Sequence, residues 1–174
     1  DWSSDVCSSD LTEMAKETKT NAMRMLERQK VPYQAFTYEC DDFIDGIHCA
    51  DMIQAPHEQS FKTLVMEGKS GGYYVFVVPI EAEVDRKSAA RAVGEKAVDM
   101  IHVKDITKIT GYVRGGCSPI GMKKPYPVVF DQSAGEFQEI YISGGRIGLT
   151  LKAPLEGLLK VTGGKLAPIT MQGE

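Results

Sequence analysis

Between Asn21 and Gln29 the apolar positions Ala22, Met25 and Leu26 fall on one helical face, behind Thr20 as N-cap and ahead of Pro32, which ends the helix. A strand is predicted over Tyr33 to Glu39 and a short helix over Gly46 to Ile53. After the loop Pro56-His-Glu-Gln, Ser60 to Met66 reads as a strand, and the Gly68-Lys-Ser-Gly-Gly72 turn reverses the chain into the apolar run Tyr73 to Pro79, so the two form a hairpin. Asp85 caps a helix that Gly94 ends, and a second helix begins at His102 or Val103, runs to Ile109 and stops at Gly111. Tyr126 to Asp131, Glu139 to Ser143 and Gly148 to Lys152 read as strands, Pro154 opens a helix to Val161, and Lys165 to Thr170 reads as a last strand. Neither clean βαβ alternation nor an all-strand pattern results. The expected class is α+β: a single domain with a mixed, mostly antiparallel, barrel-like sheet and flanking helices.

A chain of 174 residues of ordinary globular composition fits that picture. Asp1 to Leu11 form an odd Ser/Asp-rich string that looks like a translated sequencing adapter, and they are set apart from the domain expected over residues 12–174. A start at Met14 would carry no apolar secretion core, and no apolar run is long enough to span a bilayer, so a cytoplasmic location without membrane contact is expected. Cys40, Cys49 and Cys117 lack a C-x-x-C spacing, and His48, His57 and His102 lack ligand-spaced partners, so neither a metal nor another cofactor is expected. Asp1, Asp5 and Asp10 supply three of the net −4 charges, leaving about −1. Global charge therefore gives no argument for nucleic acid, and DNA is not an expected partner. An RNA contact would need a local patch, for which Lys62, Lys69, Arg114, Lys123, Lys124 and Arg146 are candidates.

Three segments carry candidate chemistry. Strand alternation puts Lys62 on one face with Leu64 and Met66. Partial desolvation there would suit a general base, or a cation that stabilises an oxyanion. On spacing alone, an edge-strand lysine that discourages aggregation is the simpler reading. The loop Gly115-Gly-Cys-Ser-Pro-Ile-Gly121 can bring backbone groups close to a ligand, although it lacks the P-loop and dinucleotide spacings. A tight structural turn is the alternative. Ile142-Ser-Gly-Gly-Arg-Ile-Gly-Leu-Thr150 reads as two strands about a Gly-Gly turn, for which a plain hairpin suffices. Two Gly-Gly loops and one lysine, with no Ser-His-Asp set, point together to a site that works through backbone groups and shape.

Phe61-Lys-Thr-Leu, Gly115-Gly-Cys-Ser-Pro-Ile-Gly-Met-Lys-Lys and Ser143-Gly-Gly-Arg-Ile-Gly-Leu, in this order, resemble the YbaK/EbsC family. The resemblance runs from about Thr18 to Thr170 and takes in Thr37-Tyr-Glu and the stretch Asp85 to Gly94. It implies a deacylase of mischarged tRNA, related to the editing domain of bacterial prolyl-tRNA synthetases, and in the most similar branch one that clears cysteine from proline tRNA. It further implies catalytic roles for Lys62 and the backbone of Gly115 and Gly116, and substrate contacts from Tyr38, Ser118, Ser143, Gly144, Gly145 and Thr150. The implied partners are the acceptor end of a mischarged tRNA and, transiently, prolyl-tRNA synthetase. Thr150 stands where cysteine-specific members often carry Asp, Cys40 where His is common, and Cys117 where an apolar residue is usual. A Cβ on Gly116 is expected to fill the space the ester needs, at more cost to activity than to stability. The alternatives are editing of another tRNA such as Ala-tRNA(Pro), a cysteine hydrolase with Cys117 as nucleophile and His57 or His102 as base, and a non-catalytic protein that binds aminoacyl-tRNA or a synthetase.

Overall fold

The computed structural model describes residues 19–38, 50–114 and 116–171. In chain order these form α1 (Asn21–Arg28), β1 (Gln34–Thr37), a 3-10 turn (His57–Gln59), β2 (Phe61–Gly68), β3 (Tyr73–Pro79), α2 (Arg86–Val93) and β4 (Val98–Met100). A second 3-10 turn (Val103–Asp105) runs into α3 (Ile106–Thr110), followed by β5 (Val128–Asp131), a 3-10 helix (Gln132–Glu136), β6 (Glu139–Ser143), β7 (Leu149–Pro154), α4 (Leu155–Thr162) and β8 (Lys165–Ala167). The adapter-like segment, Cys40, His48, Cys49, Gly115 and residues 46–49 of the expected short helix lie outside the described residues, whereas residues 50–52 are helical.

The α+β class holds, with the strands divided between two sheets, β1-β7-β6 and β4-β2-β3-β5-β8. They do not close into the expected barrel. The small sheet and the β4-β2-β3 part of the large one are antiparallel, but β3–β5 and β5–β8 run parallel. Parallel neighbours need long crossovers, and the chain makes them through α2, β4 and α3 in one case and through β6, β7 and α4 in the other. Strand β4, which the sequence pattern does not reveal, is an edge strand in which only Val98 is buried.

The apolar run of β3 follows from burial of both its faces. Val75 and Val77 join Phe61, Val65, Phe130, Ile142 and Leu151 in a core shared by the two sheets. Phe76 and Val78 pack with Met66, Val129 and Ile169 beneath Ala89 and Ala90 of α2. Helix α2 is delimited as its sequence predicts, with the Asp85 carboxylate accepting from Lys87 N at 3.2 Å and Gly94 left-handed at φ 74°. Thr20 caps α1, accepting from Met23 N at 3.3 Å. The buried face of α1 is Ala22, Met23 and Leu26, with Met25 only partly covered. Ala22 and Leu26 define the stripe; the angle at which the helix docks selects Met23 as its third member.

Beyond β8 the chain is fastened by Asp131, a buried carboxylate at the end of β5. One oxygen accepts from Ile169 N at 3.2 Å and Thr170 Oγ1 at 3.1 Å; the other accepts from Ser133 N at 3.1 Å and from the Ser133 hydroxyl. The fastened segment in turn pairs with residues 83–85, through Asp85 N to Ile169 O at 2.7 Å and Met171 N to Glu83 O at 2.8 Å. Hydrogen bonds to a charged acceptor are each worth about 1.5–3 kcal/mol, and their loss leaves buried donors unpaired. Asp131→Ala is expected to lower the unfolding free energy by about 3 kcal/mol, measured by urea denaturation.

Candidate active site

Among the described residues the two sheets meet at a backbone bridge, a parallel pairing of Ser60 with Tyr141. Bridged residues point to the same side, and strand alternation carries that side along both segments. Phe61 and Val65 of β2, Ile140 and Ile142 of β6, and Leu149 and Leu151 of β7 all face the shared core. Lys62, Ser143 and Thr150 therefore occupy the opposite, outer face, with Lys62 and Ser143 each two residues beyond the bridge.

On that face Ser143 is paired with Thr150, and the Tyr38 hydroxyl lies 3.1 Å from Thr150 Oγ1. Tyr38 is held there by its N–H, which donates to Gly148 O at 3.0 Å and prolongs the β1–β7 pairing by one residue. Ser143 Oγ is buried and has no hydrogen-bond partner among the described residues. Thr63 Oγ1 is in the same state; such orphaned buried hydroxyls are uncommon in native proteins, and a ligand or ordered water is one way to complete them. Lys62 stands half-buried, opposite Val78 of β3. Desolvation lowers its pKa, the Glu83 carboxylate opposes that fall, and no described residue accepts a hydrogen bond from it. The same face thus presents an ammonium and a hydroxyl that no described residue satisfies.

Behind this row the two Gly-Gly loops pack backbone against backbone. A Cβ on Gly116 would lie 2.6 Å from Arg146 Cα and 2.9 Å from Ile147 N. Gly144 donates to Leu149 O at 2.9 Å, and a Cβ there would strike the Leu149 side chain. Gly145 has φ 106° and sits against Thr20 and the Tyr112 ring, while the Thr20 hydroxyl donates to Gly144 O. The cap of α1 thereby also anchors the second loop. Ser118 is fully buried, and its Oγ accepts from Ile120 N at 3.3 Å, so it shapes the first loop from within instead of presenting a hydroxyl to the outer face.

A sequence model of the aminoacyl-tRNA editing domain matches residues 47–161. The chain belongs to the aminoacyl-tRNA editing domain family. It is 41% identical over 155 residues, 88% of this chain and 94% of the other, to an Enterococcus faecalis protein named "Putative Cys-tRNA(Pro)/Cys-tRNA(Cys) deacylase EbsC". Its fold is that of the structure titled "Crystal structure of a putative trans-editing enzyme for prolyl tRNA synthetase", with TM-score 0.75, 23% identity, and coverage of 87% of this chain and 96% of that one. It is also that of the hypothetical protein APE2540, with TM-score 0.78, 19% identity, and coverage of 87% and 99%.

In this editing domain the rival cysteine chemistry finds no support. Burial raises the Cys117 thiol to about 11, so it is not a thiolate near neutrality. Both ring nitrogens of His57 are engaged elsewhere, Nε2 with Asp51 at 2.7 Å and Nδ1 with Glu81 at 2.8 Å. Among the described residues no group of three His, Cys, Asp or Glu side chains is placed to hold a metal, and no helix is long and apolar enough to cross a membrane.

The candidate basic residues do not form one patch. Lys69 sits in the β2–β3 turn, at the opposite end of β2 from Lys62, and Lys123 donates to Lys108 O at 3.2 Å beside α3. Lys124 is exposed, and Arg114 and Arg146 flank the contact between the glycine loops. Sequence reasoning missed Glu83, whose charge acts on Lys62, and Phe36, which faces the site from β1. The opposed Phe36 and Thr150 become visible only once β1 and β7 are known to pair.

The Gly116 contact revises the expectation that a Cβ would enter ligand space, because it meets protein backbone instead. Gly116→Ala is expected to force the loops apart and to lower both stability, by about 1–3 kcal/mol, and deacylation. Urea denaturation and a tRNA deacylation assay on the same preparation check this.

Proposed function

We propose that this protein is a trans-acting deacylase that hydrolyses the ester of mischarged Cys-tRNA(Pro). The observation that carries the reading is the outer face on which the Lys62 ammonium, the unsatisfied Ser143 hydroxyl and the Tyr38–Thr150 pair stand together, in a chain 41% identical to a relative named for that reaction. The acceptor end enters this face with its ester between Lys62 and the glycine loops. With Cys117 a half-buried neutral thiol and His57 engaged by two carboxylates, these two residues do not supply a nucleophile.

The substrate's thiolate then attacks its own carbonyl. The sulfur–carbon bond forms, the carbon–oxygen bond to the ribose breaks, the ribose oxygen takes a proton from water as free tRNA leaves, and water then opens the resulting cysteine thiolactone to free cysteine. Lys62 stabilises the negative charge that builds on the carbonyl oxygen, and Ser143 fixes the ester. A side chain without a thiol needs an ordered water instead. A domain of this size has little surface with which to read a whole tRNA, so tRNA identity is supplied by a transient complex with prolyl-tRNA synthetase.

Lys62→Ala is expected to reduce deacylation of Cys-tRNA(Pro) by about 10²–10³-fold without unfolding, and Lys62→Arg to remain poor because a planar guanidinium does not replace a compact ammonium. Cys117→Ser is expected to retain near-parent rates in the same assay. A folded, fully active Lys62→Ala protein would remove the basis of the assignment.

Substrate preference follows from the chemistry of the attacking group. Thr150 offers a neutral hydroxyl where a carboxylate could hold the substrate ammonium by a charge-assisted bond worth roughly 1.5–3 kcal/mol. Discrimination thus rests on size and on the thiol. Cys-tRNA(Pro) is expected to be cleaved faster than Ala-tRNA(Pro) and Ser-tRNA(Pro), with Pro-tRNA(Pro) spared, as read by release of labelled amino acid. Serine nearly matches cysteine in size but is not appreciably ionised near neutrality, so equal rates for the two would exclude thiol assistance and leave a water-based editor.

A further inference from the structure

Among the described phenylalanines, Phe61, Phe76, Phe130 and Phe137 all pack into hydrophobic clusters, and Phe36 packs into none. It lies on β1, an edge strand whose other three residues are exposed, and is itself only partly covered. Its partner across the strand pair is Thr150, which is in turn paired with Ser143, so Phe36, Thr150 and Ser143 form one row across the outer face. The ring contact recorded for Phe36 is with Tyr141, at 5.7 Å between centroids and tilted by 49°. Tyr141 is already occupied, packed against Ala50, Ala55 and Ile80 and overlain by Lys152, whose Nζ lies 5.5 Å from the ring centroid. Phe36 is left partly exposed on the face that carries Thr150 and Ser143.

We propose that Phe36 is the stacking platform for the terminal nucleobase of the aminoacyl-tRNA, a subsite one strand beyond Thr150 from the reacting ester. The proposal rests on the deacylase reading for the placement of the ester. Strands lie about 4.8 Å apart, so Phe36 stands roughly 10 Å from Ser143, the span of a ribose and its base. The amino acid to be removed is small and needs no aromatic ring. The base at the 3′ end is the same adenine in every tRNA, and an aromatic face takes a base by stacking without demanding particular hydrogen bonds. Tyr38, tied to Thr150, then borders the ribose between the two.

Adenosine 5′-monophosphate serves as the probe of this subsite. In a Phe36→Trp protein, the indole fluorescence above that of the parent, whose sequence contains a single tryptophan, is expected to be quenched saturably by the nucleotide. In steady-state deacylation of Cys-tRNA(Pro), Phe36→Ala and Phe36→Leu are expected to raise KM by about 5- to 100-fold with kcat nearly unchanged, and Phe36→Trp to restore KM. Restoration by an aromatic residue but not by leucine separates stacking from simple apolar contact. Failure of millimolar nucleotide to quench the Phe36→Trp signal, or a KM in folded Phe36→Ala equal to the parent's, overturns the proposal. Quenching by a protein that releases no amino acid from any mischarged tRNA leaves the base subsite standing and defeats the deacylase reading instead.

Discussion

A backbone bridge, Ser60 to Tyr141, decides where the candidate site of this protein sits. Lys62 and Ser143 are some eighty residues apart and belong to different sheets, yet the bridge aligns β2 with β6 so that both side chains stand on the outer face. The partition is enforced energetically, since slipping either segment by one residue would exchange Phe61, Ile140 and Ile142 for polar neighbours in the core. The site is thus the reverse side of the packing pattern. Its precision comes from the core beneath it.

Lys62 lives with two opposed demands. Partial burial on a strand whose neighbours Leu64 and Met66 pack beneath α2 disfavours its charge, while the carboxylate of Glu83 favours it. Glu83 comes from the loop after β3, and its carbonyl is held by the C-terminal segment that the buried Asp131 fastens. The segment that carries Glu83 is therefore tied, through those C-terminal residues, to the hydrogen bonds of Asp131 at the end of β5.

The glycine loops contribute by letting polypeptide approach polypeptide. Gly116 against the Arg146 backbone, and Gly144 against Leu149, are contacts that any Cβ would open. Together with the Thr20 hydroxyl on Gly144 O, they lock the hairpin turn that ends in Leu149 and so hold Thr150 in register with Ser143 and beneath Tyr38. A row of small polar side chains is thereby presented rigidly without a dedicated core of its own.

The sequence by itself determined the α+β class, the caps of α1 and α2, the β2–β3 hairpin and the two Gly-Gly loops, because each is set by local rules: alternation, capping hydroxyls and carboxylates, and left-handed glycines such as Gly94. It also singled out Lys62, Ser143 and Tyr38, through motifs that resemble a family and not through spacing, on which Lys62 reads as an ordinary edge lysine. Tertiary structure decided the rest. The division into two sheets, the parallel pairs β3–β5 and β5–β8, and strand β4 are long-range pairings whose partners no local pattern records. Only the folded chain puts Ser118 inside its loop, turns the space beside Gly116 into backbone contact, and brings Phe36 opposite Thr150. The physical reason is shared: a residue's immediate sequence fixes its backbone conformation, whereas its surroundings are fixed by residues distant along the chain, 30 positions for Gly116 and Arg146 and 114 for Phe36 and Thr150.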